Sequence, residues 1–489
     1  MRVGVDTGGT FTDIVTADGR AHKLPSTPDD PSAAVVEGTA WAGGPTDLAH
    51  GTTIATNALL ERTGARVALV TTAGFSDLIE IARQDRPSLY DAWADRPDAL
   101  VTRRLRLEVH ERMEADGRPL AAPGAVPDVP PDAASVALCL LHADRNPSHE
   151  AAVARALRDR GHDVTVSSEL TPEFREYERL VTTVVNAYLR PVCQPYLTAL
   201  ERLAASVTVL TSAGGLVPVA DAVARPAALL LSGPAGGVVA AAKVATATGF
   251  ADAVSFDMGG TSTDVCLIRD GRPAPAGERT VGGYPVRLPS LDVHTIGAGG
   301  GSVASIDRGG ALTVGPRSAG AVPGPACYGR GGTEPTVTDA DLVAARLPRG
   351  TPLPGIGPLS RPLAEAALRG LDPLGVIAVV DAAMVEAVRA VTVRRGVDPA
   401  ALALIAFGGA GPLHACAVAA SLGMRAVVVP PQAGVLSAAG VLASPRQVDL
   451  VRSGGFSPDG ADAAMRALAA EAAAAAGPGA DVETSADCR

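Results

Sequence analysis

Apolar and polar positions in this chain alternate between short β-type runs and longer helical stretches. Val3-Gly4-Val5 and Ile14-Val15-Thr16 flank a polar turn. Ala253-Val254-Ser255-Phe256 and Val265-Cys266-Leu267-Ile268 flank another. Each pair predicts a β-hairpin. Further strands are predicted at residues 66–72, 136–141 and 164–166. Helical patterns run over residues 33–37, 150–160, 174–203 and 376–394. Residues 50–60 read as a turn entering a helix, and residues 231–237 open a long helix of small side chains. Residues 207–210 are predicted to begin a second lobe. Residues 402–407 form a strand that runs into Gly408-Gly409-Ala410-Gly411-Pro412 and then a helix, a phosphate- or nucleotide-binding order. Residues 461–476 are an Ala-dominated helix with little amphipathic character. The strand and helix order predicts an α/β protein. The expected lobes are 1–185 and 186–455, followed by residues 456–489 as the start of a C-terminal region.

The two hairpins are copies. Asp6-Thr7-Gly8-Gly9-Thr10-Phe11-Thr12-Asp13-Ile14 matches Asp257-Met258-Gly259-Gly260-Thr261-Ser262-Thr263-Asp264-Val265 at six of nine positions. Paired glycines let backbone N–H groups approach an anion, and threonine hydroxyls add donors. The bland alternative is two tight turns that need glycine. The flanking acids and threonines repeat as well, which favours phosphate clamps at Gly8, Gly9, Thr10, Thr12, Gly259, Gly260 and Thr261. A polyphosphate would lie between two similar lobes, with Asp6 and Asp257 facing it from opposite sides. Carboxylates so placed call for a cation such as Mg²⁺. One of them could instead orient a phosphoryl acceptor, and both are therefore candidate catalytic and metal residues. Asp13 and Asp264 either serve the site or pin the turns. Gly408, Gly409 and Gly411 are candidates for nucleoside contact, or for close helix–strand packing.

Other candidates carry less. Thr52 and Thr53 stand near a helix start, where anion donors are natural. Arg83 and Arg86 form a candidate substrate clamp or a solvated turn. His294 and Asp292 share a strand face, as a ligand pair or a structural one. His50, His142 and His414 each end an element beside a motif. Residues 297–301 form a glycine-rich loop. No G-x-S-x-G elbow accompanies Ser26, Ser168 or Cys327, so a covalent triad has no support.

Composition narrows the classes. A chain of 489 residues with 47% hydrophobic and 19% charged residues is ordered and has more than one domain. A net charge of −10 argues against a nucleic-acid partner. Six scattered cysteines without C-x-x-C show neither zinc spacing nor a disulfide framework. Cytoplasmic, reduced thiols are the expectation, with no signal peptide and no membrane span.

Taken together, these motifs resemble the A-type subunit of the hydantoinase/oxoprolinase family. The resemblance also rests on residues 75–90, on 232–237, on Asp292-Val293-His294-Thr295-Ile296 with Gly297–Gly301, on residues 323–328, on Thr336-Val337-Thr338-Asp339, and on Gly434-Val435-Leu436-Ser437-Ala438. It covers nearly the whole chain. It implies the two-lobed actin-like ATPase and sugar-kinase fold. It also implies ATP-dependent opening of a small cyclic amide such as 5-oxoproline or a hydantoin. The chain would phosphorylate the ring carbonyl oxygen, and a B-type partner subunit would complete the hydrolysis in an oligomer. Some members of the family instead activate a ketone for carboxylation, and a non-catalytic nucleotide-binding scaffold is a further reading. Ser212-Ala213-Gly214-Gly215 carries Ala where Asn is usual, and Asp341 stands where Asn is common. The family continues past Arg489, so a C-terminal region is expected to be missing from this chain.

Overall fold

The computed structural model describes residues 1–486 except 10, 28–29, 349, 351, 354 and 455–457. Two sheets built on one plan organise the chain. In the first, the strand order is Ala21–Pro25, Phe11–Thr16, Arg2–Thr7, Asp47–Thr52, Ser206–Leu210, Leu216–Pro218. The hairpin strands are antiparallel, while Asp47–Thr52 and Ser206–Leu210 run parallel to the first strand. The second sheet repeats the order as Arg272–Pro273, Thr263–Arg269, Ala253–Met258, Ala403–Phe407, Ala426–Val428, with the same sequence of directions. In both, five strands follow the order 3-2-1-4-5, with Leu216–Pro218 extending the first sheet and His294–Ile296 pairing with Thr263–Arg269 in the second. The expected two-lobed, actin-like α/β fold is therefore the observed one.

One boundary differs from the sequence reading. Ser206–Leu210 does not open the second lobe but joins the first sheet beside Asp47–Thr52. Val209 and Leu210 are fully buried there. The strand can reach that place because the helix Glu176–Leu200 carries the chain back across the lobe under the first core cluster. A four-stranded parallel sheet, Val164–Val166, Ser135–Cys139, Val67–Thr72 and Arg106–Val109, is inserted between the fourth and fifth strands of the first lobe.

Each lobe is built round a core cluster, and the two meet through a pair of helices, Ser232–Ala247 and Leu436–Ala443. The small-residue pattern at 232–237 is what allows the crossing. A Cβ at Gly440 would lie 1.8 Å from the Gly236 carbonyl oxygen. Leu436–Ala443 also lies against the first strand, where a Cβ on Gly4 would come within 2.5 Å of the Ala438 oxygen. Gly440→Ala is therefore expected to cost about 1–3 kcal/mol or more, because both obstructing groups are backbone and cannot rotate away. Urea denaturation giving an unchanged midpoint would contradict this close packing.

A second connection crosses between the lobes. Residues 275–291, which follow the third strand of the second sheet, form a small ladder of Arg279–Val281 with Tyr284–Val286. Its apolar side, Val281, Tyr284, Val286 and Leu288, belongs to the core of the first lobe. Tyr284 Oη donates to the Asp98 carbonyl, Arg287 Nε donates to Glu173 at 2.7 Å, and Leu291 N donates to the Ser212 carbonyl at 2.7 Å. The sequence pattern had assigned no element there.

Candidate functional site

The two hairpin tips are built alike. Gly8 N donates to Phe11 O at 3.0 Å, and Gly259 N donates to Ser262 O at 3.0 Å. Beyond those bonds the tips are open. A Cβ at Gly9 or at Gly260 would meet nothing within 4 Å, and neither residue has positive φ. The chain itself thus gives no steric reason for glycine at either position. What the missing side chains leave is exposed backbone and free space, the condition for an anion to approach N–H groups. Thr261 is exposed on the second tip. Its counterpart Thr10 lies outside the described residues.

Thr12 is not a tip donor. It is fully buried, and its hydroxyl bonds Ser26 Oγ, which in turn donates to Gly8 O at 2.7 Å. Thr263, its copy, is equally buried and donates to Ala298 O at 2.6 Å. Alternation along the strand turns both threonines inward, where they brace the turns from behind. The glycine-rich loop 297–301 is a second brace. Gly300 N and Gly301 N donate to Gly259 O and Gly260 O, and a Cβ on Gly299 would strike the Gly260 backbone at 2.7 Å. Thr338 holds that loop through Gly300 O, and Asp339 holds both Thr336 and the backbone of Ala326 and Cys327.

Behind each tip lies an aspartate in an environment that suits its neutral form. Asp6 is opposite Asp13, and Asp257 is opposite Asp264. A glycine lies beside each aspartate, Gly51 paired with Asp6 on the adjoining parallel strand and Gly408 just past the end of the corresponding strand Ala403–Phe407. A Cβ on Gly51 would fall 2.7 Å from Asp6 Oδ1, and one on Gly408 would fall 2.3 Å from Asp257 Oδ1. Burial, then the charge of Asp13, pushes Asp6 up to about 7, with Lys23 pulling the other way. Burial, then Asp264 and Asp6, pushes Asp257 up to about 8, against a weak bond from Ser437 Oγ at 3.5 Å. The charge of Asp6 is among the influences that raise Asp257. Asp6 Oδ1 is buried with no hydrogen-bond partner among the described residues, an acceptor that a proton or a cation would satisfy.

Among the described residues no backbone bond from Asp13 or Asp264 pins the turns. Asp13 pairs with Lys23, its partner on the next strand, and Asp264 accepts from Thr295 Oγ at 2.5 Å.

The loop 408–411 lies against the second hairpin. Ala410 N donates to Met258 O at 2.9 Å, and Gly408 adopts φ +80° beside Asp257. Gly409 is open, with nothing within 4 Å of a Cβ built there. Thr52, at the end of its strand, accepts Ser232 Oγ on its carbonyl, and Thr56 accepts Leu231 N at 2.9 Å. The start of the helix Ser232–Ala247 is thereby held beside Asp6, with Gly233 3.7 Å from Asp6 Oδ1 as a Cβ would see it. Thr53 is half-buried at the start of the neighbouring Ile54–Leu60 helix.

Three expectations meet a different structure. Arg83 is engaged in a two-pronged ion pair with buried Glu178, and it lines a cavity of about 970 Å³ with Arg96, Arg103 and Arg106. Arg86 is exposed. No hydrogen bond or ion pair among the described residues joins either arginine to the hairpins, so the clamp reading has no geometric support. Asp292 does not pair with His294 but with Arg395. His294 borders the second hairpin strand opposite Val265. Burial, with Arg394 and Arg395 nearby, lowers its basicity.

His414 proved structural. It is fully buried, with Nδ1 2.6 Å from Asp381 and Nε2 3.2 Å from Asp341. Burial opposes its charge, yet the two carboxylates outweigh this and push it up to about 9. His50 is bonded to Tyr196 Oη at 2.8 Å within the first core. Among the described residues no group of three His, Cys, Asp or Glu is arranged to hold a metal. No helix among them is long and apolar enough to cross a membrane.

Comparison with known proteins identifies the family. The family described as Hydantoinase/oxoprolinase matches residues 179–448, and its N-terminal region matches residues 2–161. Caprolactamase subunit alpha of Pseudomonas jessenii is 39% identical over 92% of this chain and 71% of its own length. 5-Oxoprolinase 1 of Arabidopsis thaliana is 35% identical over 90% of this chain but only 41% of its own. The crystal structure of the ATP-dependent caprolactamase from Pseudomonas jessenii superposes with a TM-score of 0.84 at 33% identity, covering 96% of this chain and 76% of that one.

Proposed function

The chain belongs to the hydantoinase/oxoprolinase family, and on that premise we propose that it is the nucleotide-binding part of an ATP-dependent cyclic amidase. The observation that carries this reading is the pair of open glycine tips, each with a deep aspartate behind it. Gly8, Gly9, Gly259, Gly260 and Thr261 would hold the phosphates, and Gly408 to Gly411 the nucleoside. Asp6 and Asp257 fit a magnesium ion that keeps most of its waters and takes one or two carboxylates, consistent with the orphaned Asp6 oxygen. Bound there, the ion would offset phosphate charge.

The chain's own residues then do the positioning. A ring carbonyl oxygen held in line forms a bond to the γ-phosphorus as the β–γ bridging P–O bond breaks. ADP departs, the amide N–H proton is given up, and an O-phosphorylated imidate remains. An ionised aspartate, Asp6 or Asp257, would accept that proton. The partner we infer for the following hydrolysis is a B-type subunit, since one relative is itself named as a subunit. The five cysteines described are unpaired, which fits a reducing, cytoplasmic setting.

The test is isothermal titration with Mg-ATP, followed by ADP release on adding cyclic amides. Absence of magnesium-dependent nucleotide binding would overturn the reading. Thr261→Val should weaken nucleotide binding by about 1.5–3 kcal/mol, the worth of a hydrogen bond to a charged group.

The pH dependence follows from the two aspartates. With folded values of about 7 and about 8 against 3.8, the native state keeps protons that the unfolded chain has released. Their contribution to stability therefore falls as pH rises from about 4 to about 8. A cation binds the ionised forms and relieves that loss. Magnesium alone should raise the melting temperature more at pH 8.5 than at pH 6. Equal shifts at both would separate the metal from these carboxylates.

A further inference from the structure

Lys23 is one of only two lysines in a chain whose other basic residues are arginines. It stands in register with the hairpin aspartates. Across the first sheet Gly51, Asp6, Asp13 and Lys23 are successive partners on adjoining strands. Directly paired residues lie on one face of a sheet. The duplicated hairpin supplies an internal control, because the same row there reads Phe407, Asp257, Asp264 and Thr295. Each fourth residue satisfies the outer aspartate, Lys23 by an ion pair with Asp13 and Thr295 by a hydrogen bond to Asp264. A hydroxyl is therefore enough to hold a carboxylate at this place in the row. Lys23 brings a full positive charge that the second copy does without.

The ammonium is neither sealed in nor used up. The Lys23 side chain keeps 23% of its surface exposed. Its Nζ lies 4.9 Å from the centre of the Phe11 ring, and Phe11 is the residue whose carbonyl accepts Gly8 N to close the tip. The charge is thus carried from its own strand toward the tip, where a Cβ at Gly9 would meet nothing within 4 Å. An ammonium has three N–H donors, and among the described residues Asp13 is its one hydrogen-bond acceptor. Lys23 is also the one cation among the influences on Asp6, so its charge reaches the deep carboxylate as well.

We propose that Lys23 binds the γ-phosphate through its free N–H donors, which makes the first hairpin the transfer end of the cleft. This rests on the reading of the cleft as the nucleotide site of a cyclic amidase. The loop proposed for the nucleoside, Gly408 to Gly411, is bonded to the second hairpin, which leaves the first for the far end of a triphosphate. In the transfer the ring oxygen forms its bond to the γ-phosphorus while the β–γ bridging P–O bond breaks and its electron pair leaves with ADP. The amide proton goes to Asp6 or Asp257. Lys23 stays protonated and offsets the charge on the non-bridging oxygens. A lysine suits this place better than an arginine, because a compact ammonium with rotatable donors can face a carboxylate and a phosphate together.

The experiment titrates the chain by calorimetry, in the presence of magnesium, with ADP and with β,γ-imido-ATP, which carries the γ-phosphate but does not transfer it. Lys23→Met is expected to lose roughly 10–100-fold for the triphosphate and about threefold or less for ADP. Asp13→Asn combined with Lys23→Met removes the ion pair whole and leaves no unpaired buried charge. The double variant should show the same selective loss. Recovery of triphosphate binding in it would mean that Lys23 serves only Asp13, and overturns the proposal. So does an equal loss of both nucleotides in a folded Lys23→Met, the mark of a structural lysine. Thr295→Val, at the equivalent place on the second hairpin, should leave the ratio of the two affinities unchanged. A selective loss of the triphosphate there would overturn the choice of the first hairpin as the transfer end. A parent chain that binds no ADP overturns the wider nucleotide reading, and this proposal with it; the other outcomes arise only when ADP binds.

Discussion

Asp257→Asn is expected to bind Mg-ATP within a few-fold of the parent chain yet to transfer phosphate about 10²–10⁴-fold more slowly. The substitution keeps the shape that Gly408 accommodates, since Asn and Asp differ by one atom in the same rotamer. It removes the group that can change charge near neutral pH. The phosphate contacts proposed at the tips and the nucleoside contacts proposed at Gly408 to Gly411 would be untouched. Asp6→Asn should act in the same direction. The variants also separate fold from chemistry. A buried carboxyl whose pKa stands at about 8 is a burden to the empty protein once ionised. The empty Asn variant should therefore melt no lower than the parent at pH 8.5. Near-normal turnover in both variants would place the chemistry elsewhere.

His414→Ala is expected to cost about 3–5 kcal/mol, the usual result of removing one partner from a buried charge cluster. Asp341 and Asp381 would be left facing each other without the ring between them. Of the two carboxylates Arg346 is paired with Asp381, at 3.7 Å, and it also donates to the Leu413 carbonyl at 3.2 Å. The sign of the pH dependence is opposite to that of the aspartates. The folded value of about 9 lies above the unfolded 6.5, so the stabilisation is full below pH 6.5 and is lost as pH rises through 9. Denaturation at pH 6 and pH 9.5 should show the gap between parent and variant closing at the higher pH. A constant gap would mean that packing, not charge, is what the ring supplies. The site would suffer indirectly, because His414 is in the first turn of the helix that follows the Gly408 to Gly411 loop.

Most of what was legible in the sequence was local. The hairpins repeat residue by residue, so the duplicated turns, their glycines and the facing aspartates could be read before any pairing was known. The strand–loop–helix at 402–413 was legible for the same reason. What failed depended on distant partners. Thr12 looks like a donor beside Thr10, but the register against Ala21–Pro25 turns it inward to Ser26. Residues 207–210 have a strand's composition, which says nothing of which sheet will take them. Arg83 matched a clamp until Glu178, far along the chain, was seen to occupy it.

The segment at 275–291 has a consequence for how this protein comes into being. Val281, Tyr284, Val286 and Leu288 fill the core of a lobe whose other residues precede position 231. A ribosome that has delivered the first 250 residues has delivered a lobe with a gap in its wall. That lobe cannot finish condensing until the first strands of its neighbour have emerged as well. Expressed as two polypeptides cut near residue 250, the halves should stay incomplete apart and gain structure on mixing. Where the molecule divides in space, it does not divide along the chain.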